Sequence, residues 1–137
     1  MKRSSYVVLA VGLVLLGAAI PLWAHHSFAA AYDTSKRSTV EGVIDSVRLT
    51  NPHSWFVVDI KDATGKVTQW KFEAGTPSGM LRNGFKPDII KHGTEVTITY
   101  CHAKDPTQNV GMLQELITKA DGKKYGMFGP QEGPGAQ

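Results

Sequence analysis

Ser54-Trp55-Phe56-Val57-Val58-Asp59-Ile60-Lys61-Asp62-Ala63-Thr64-Gly65-Lys66-Val67-Thr68-Gln69-Trp70-Lys71-Phe72-Glu73-Ala74 reads as two β-strands joined by a tight turn. Side chains on a strand alternate between faces, so Phe56, Val58 and Ile60 share one side while Trp55, Val57 and Asp59 share the other. On the returning strand Thr68, Trp70 and Phe72 fall together, opposite Lys71 and Glu73. Asp62 to Gly65 makes the hairpin turn, with Gly65 suited to a positive φ. One largely apolar face per strand predicts a sheet that buries a single side.

Working outward, the stretch Thr39 to Leu49 is rich in Val and Ile and reads as a strand before this hairpin. Gly42 within it marks a bulge or a close backbone approach. Asn51-Pro52 ends it, because proline lacks a ladder donor and the residue before it avoids helix. After the hairpin, Thr76-Pro77 signals a short helix with Thr76 as cap, Met80 and Leu81 as its apolar pair and Gly84 as its C-terminal stop. Phe85 to Gly93 connects to a fourth strand, Glu95 to His102, whose Val96, Ile98 and Tyr100 face inward. Asp105 to Asn109 is a polar loop, Gly111 to Lys119 a fifth strand, and Asp121-Gly122 a turn. Lys123 to Phe128 adds a last short strand, and 129–137 is expected to be a disordered tail. Three strands, a short helix and two strands give an all-β fold with one short helix. The expected form is a small five-stranded OB-like Greek-key barrel over residues 39–128. An open β-sandwich of the same strands is the rival arrangement.

The start of the chain has a different character. Lys2 and Arg3 precede an uncharged apolar run from Tyr6 to Ile20, Pro21 breaks it, and Ala24 stands where a small residue precedes cleavage. This is the layout of a secretory signal peptide over residues 1–24. An uncleaved anchor is the alternative, although the run is shorter than the ~20 apolar residues of a spanning helix. The expected location is periplasmic or secreted, with no membrane association after cleavage. Residues 25–38 then form a short N-terminal segment, with Phe28 and Tyr32 as candidate anchors onto the barrel.

Charge and cysteine usage narrow the function classes. The chain of 137 residues carries 15 basic and 12 acidic side chains, a net charge of +3. Loss of the signal removes Lys2 and Arg3, leaving 13 against 12 and a net charge of +1. That balance argues against nucleic acid or anionic lipid as partners. Cys101 is the single cysteine, so no internal disulfide staples the domain and stability rests on the core. No nucleophile motif, phosphate-cradling loop or nucleotide fingerprint is present, so no catalytic residue is assigned.

His25-His26-Ser27-Phe28 with Tyr32-Asp33, then Asn51-Pro52-His53, Trp70-x-x-Glu73, Pro77, Leu81 and Gly84-Phe85 resemble a family of small exported bacterial proteins known as a domain of unknown function. The resemblance covers about residues 25–122. It implies an envelope location and a small β fold, and it lends no activity.

The chemistry of the histidines is more pointed. Cleavage after Ala24 leaves His25 with a free backbone amine beside its own ring Nδ1. With pKa values near 7.7–8.0 and 6.5, both nitrogens are accessible near neutral pH. A third nitrogen from a distant imidazole completes the T-shaped histidine brace of copper proteins, and nitrogen ligation of that shape favours Cu(II). His53, in the loop between the first two strands, is the leading candidate, with His26 as alternative and the Asn51 amide as a support for the ring N–H. The metal set is therefore His25, His26 and His53, with copper as the implied cofactor. An envelope redox or metal-handling protein is the implied partner. The alternative is a metal-free accessory domain that binds a protein or small ligand through Trp55, Asn51 and Glu73. A copper oxygenase would share the brace, but no substrate surface is identifiable. Glu73 and Asp59 could form a carboxylate pair near Trp55. His92 reads as a solvated turn residue and His102 as a rim residue on the Tyr100 side. Cys101 points to the opposite face and reads as an inert, partly buried thiol.

Overall fold

The computed structural model describes Phe28 and residues 30–127. The expected signal, His25, His26 and the expected tail lie outside the described residues. The unit that begins at Ala31 contains β1 (Tyr32–Arg48), β2 (Trp55–Lys61), β3 (Val67–Glu73), α1 (Pro77–Arg82), β4 (Glu95–Ala103), β5 (Val110–Thr118) and β6 (Lys124–Gly126). The sheet runs β3-β2-β1-β4-β5-β6, with an additional β3–β5 pairing. That pairing is parallel, Lys71 to Val110, Phe72 to Gly111 and Glu73 to Met112, while every other neighbour is antiparallel. It joins the two ends of the five-strand ribbon into a ring. The barrel is thereby distinguished from an open sandwich, and β6 lies outside the ring on the edge of β5.

Alternation along the strands places the core as expected. Phe56, Val58, Phe72, Val96, Ile98 and Tyr100 are all buried, and each inward strand position removed from water contributes about 1.5–3 kcal/mol for a large apolar side chain. At one point two backbones nearly touch. A Cβ on Gly42 would sit 2.7 Å from the Asp59 carbonyl oxygen and 2.7 Å from Val58 Cγ1. Gly42→Ala must therefore push β1 from β2, and a loss of about 1–3 kcal/mol of unfolding free energy, measured by denaturant titration, is expected.

Two expectations are corrected by the fold. β1 begins at Tyr32, well before Thr39, because Tyr32 and Asp33 pair with Ala103 and His102 across an irregularity between Asp33 and Arg37. Those added residues are mostly exposed and polar, so backbone hydrogen bonds decide the strand and hydrophobic pattern does not signal it. In α1, Thr76 caps the helix by accepting from Gly79 N–H at 3.1 Å, and Gly84 takes φ +87° at its end. Of the expected apolar pair, however, Met80 is buried while Leu81 is half exposed. Adjacent residues on a helix diverge by about 100°, so a helix this short presents one of them to the barrel.

His92 also has a structural task. The β1–β2 register breaks between Ile44 and Ser46, and the carbonyl of the intervening Asp45 lies 2.8 Å from His92 Nδ1. Gly93 N–H donates to the Ile44 carbonyl at 2.8 Å, and Ile44 N–H to that of Thr94 at 2.9 Å. The connector is thus clipped to the bulge, and the ring is more than a solvated turn group.

Three polar turns share one device with a pH consequence. The carboxyls of Asp62, Asp105 and Asp121 are held below the usual range, chiefly by the hydroxyls of Thr64, Thr107 and Thr118 respectively and further by backbone N–H groups. A depressed folded pKa contributes stability above the unfolded value of about 3.9, lost as pH falls through the folded value. The melting temperature should accordingly drop below about pH 4, and Asp121→Asn should flatten part of that decline.

Candidate functional site

The last residue of β3 stands directly across the ladder from the first residue of β2, Glu73 opposite Trp55. Beyond the strands the ladder continues, with Ala74 N–H donating to the Ser54 carbonyl at 2.8 Å and Ser54 N–H to that of Gly75 at 3.0 Å. These bonds hold the exit of the β1–β2 loop against the end of β3. Within that loop the Asn51-Pro52 peptide is cis, and the Thr50 hydroxyl donates to the His53 carbonyl at 2.9 Å. His53 therefore leaves the loop beside Glu73.

The side chains complete the arrangement. His53 Nδ1 lies 2.6 Å from Glu73 Oε1, with the two side chains 25% and 15% exposed. The second oxygen, Oε2, accepts the phenol O–H of Tyr32, which comes from the start of β1 and is itself buried. Burial first, then the hydrogen bond to Glu73 and its charge, push the Tyr32 phenol far above its ordinary value of 10.0. Tyr32 thus stays a donor throughout the physiological range. A carboxylate with both oxygens engaged cannot rotate freely, so the ring it grips is held in one orientation.

The support for the His53 ring is therefore Glu73, where the sequence pointed to Asn51, which is exposed. Tyr32 is the buried anchor expected of it and also the second clamp on Glu73, a role that sequence reasoning did not assign. The Tyr32-Asp33 and Trp70-x-x-Glu73 motifs marked both residues without saying that they meet. Asp59 accepts from the Gln69 amide at 3.1 Å, so Glu73 and Asp59 have separate partners and form no carboxylate pair. His25 and His26 lie outside the described residues. Among the described residues, no three His, Cys, Asp or Glu side chains converge as a metal-binding group.

The other candidate positions are placed clearly. Cys101 is fully buried and its thiol is pushed up by burial, while His102 packs at 4.9 Å from Tyr100 on the opposite face. The pair is accordingly no chelate. Trp55 lines a shallow groove of about 330 Å³ with Ser46, Arg48, Val57 and Lys71, on the outer face of β1–β3. Among the described residues, no helix is long and apolar enough to cross a membrane.

Comparison with known proteins adds a family and no activity. No curated protein and no solved structure matches the chain. The model of a family of unknown function, DUF6152, matches residues 13–112, well over half of the sequence, and the protein belongs to that family.

Proposed function

We propose that the protein is a non-catalytic copper-binding module of the bacterial periplasm, using the amine and ring of a processed N-terminal His25 together with the His53 imidazole, and with His26 as a further nitrogen. The observation that carries this reading is the Tyr32–Glu73–His53 chain of hydrogen bonds. A carboxylate at Nδ1 selects the tautomer protonated there, which makes Nε2 the ligating nitrogen. β1 starts at Tyr32, whose hydroxyl reaches the same carboxylate, and His25 is seven residues earlier. Carriage of copper, or its delivery to an envelope redox or metal-handling protein, is the role inferred for this site.

Titration of the processed protein with Cu(II), followed by electron spin resonance, tests the reading. A tetragonal, nitrogen-rich spectrum is expected, altered and weakened in His53→Ala. Glu73→Gln should keep the spectral type and lower affinity about 10–100-fold, the usual effect of losing such a support. His53→Ala with unchanged affinity and spectrum would overturn the proposal.

The groove beside Trp55 favours a second reading, a metal-free docking domain. An indole flanked by Arg48 and Lys71 suits an acidic partner in the envelope. Trp55→Ala should then abolish co-purification of that partner, and retention of the partner would rule this reading out.

A further inference from the structure

A different concavity, remote in sequence from His53, lies where the start of β1, the end of β4 and the β4–β5 loop meet. It encloses about 320 Å³ and is lined by Asp33, Lys36, Trp70, His102, Lys104, Asp105 and Gln108 among others. That volume falls at the lower end of the range for small-molecule sites, about 300–1,000 Å³.

Its walls are held in place before any ligand arrives. His102 Nε2 is 2.7 Å from the Ser38 hydroxyl, and its ring packs on Tyr100. Tyr100 in turn meets Trp70 edge-on at 5.6 Å, and Trp70 stacks on Phe72 at 6.0 Å. The indole and imidazole are thus parts of an aromatic cluster rooted in the core. The opposite wall is equally fixed. Asp105 Oδ1 accepts from Thr107 N–H at 3.0 Å and from its hydroxyl at 2.6 Å, while Oδ2 accepts from the Gln108 amide at 2.8 Å.

The chemistry of the lining selects a ligand class. Lys36 and Lys104 are balanced by Asp33 and Asp105, so no net charge is available to recruit an ion. Donors and acceptors are both present, which is what hydroxyl groups require because each both gives and takes a hydrogen bond. A half-buried indole beside them offers an apolar surface to the C–H face of a sugar ring. In five-stranded barrels of this topology, the β4–β5 loop is one of those used for oligosaccharides. We propose that this groove is a site for a short neutral saccharide, independent of the copper reading.

The test is titration of the isotope-labelled processed protein, in separate experiments, with maltotriose, cellotriose, triacetylchitotriose and the anionic comparator trigalacturonate, observed by amide chemical shifts and tryptophan emission. At least one neutral trisaccharide should move the amides of residues 33–36 and 102–110. Lys36→Ala and Gln108→Ala, both at exposed positions, should weaken that binding up to about tenfold each, the effect of one lost hydrogen bond. His53→Ala should leave it unchanged, which separates this site from the proposed metal centre. The absence of shifts with every neutral sugar, shifts confined to the Trp55 face, or binding of trigalacturonate alone would each overturn the proposal.

Discussion

Acetylation of the His25 amine in the processed protein is expected to remove the proposed tight Cu(II) binding while keeping the fold. The acetyl group converts the amine into an amide nitrogen and leaves no terminal amine to anchor the metal, so that nitrogen keeps its proton near neutral pH. The His25 ring is then without its amine partner, and the two nitrogens no longer close one chelate. His53 remains held by Glu73 at 2.6 Å, but a lone imidazole from the barrel is a weak ligand. The loss should exceed the roughly 10–100-fold effect of disturbing a supporting group. His25→Ala, which retains the amine and removes the ring, should fall between the acetylated and native proteins. Intact mass establishes the first residue in each preparation, and melting temperature confirms that the barrel is undisturbed. Equal copper affinity with and without the acetyl group would end the copper reading, whatever the behaviour of the saccharide groove.

The largest effect on stability is expected from Phe72→Ala. Phe72 is fully buried, lies 5.1 Å from the Tyr100 ring, and stacks on Trp70. It also sits in the three-residue parallel pairing that closes the barrel, directly opposite Gly111. Fit there is tight on both sides, since a Cβ on Gly111 would meet Tyr100 Cδ2 at 2.4 Å and Phe72 Cδ1 at 3.2 Å. Emptying the ring volume should cost about 3–5 kcal/mol, from lost burial and an uncollapsed cavity. Against the 5–15 kcal/mol typical of a whole domain, that leaves a narrow margin. Lys71→Ala, one residue away on the outer face, should change stability by no more than about 0.5 kcal/mol. Urea unfolding of the two variants measures the contrast, and a Phe72→Ala loss below about 1 kcal/mol would show that the closure is not where stability resides.

Local rules carried far in this chain. The Ser54–Ala74 hairpin was legible because period-two alternation, an Asp-to-Gly turn and flanking Pro residues all pointed the same way. Thr76-Pro77 announced the helix and Gly84 its end for equally local reasons. The same rules missed the part of β1 before Thr39, because Asp33 to Arg37 have polar, mostly exposed side chains and their pairing with β4 is written only in the backbone. They also assigned Leu81 to the core, since nothing within six residues says which side of a helix meets the barrel.

The site divides along the same line. That His53 follows Asn51-Pro52 in a loop, that Glu73 faces outward beside Trp55, and that Tyr32 is an aromatic anchor are each properties of short segments, and the sequence alone determined them. That Glu73 grips His53 with one oxygen and accepts from Tyr32 with the other was decided only by the tertiary structure. Tyr32 and Glu73 are 41 residues apart in the chain, and no periodicity or propensity spans that separation. Only strand register and barrel closure bring such residues together, and both are set by the long-range fit of the core.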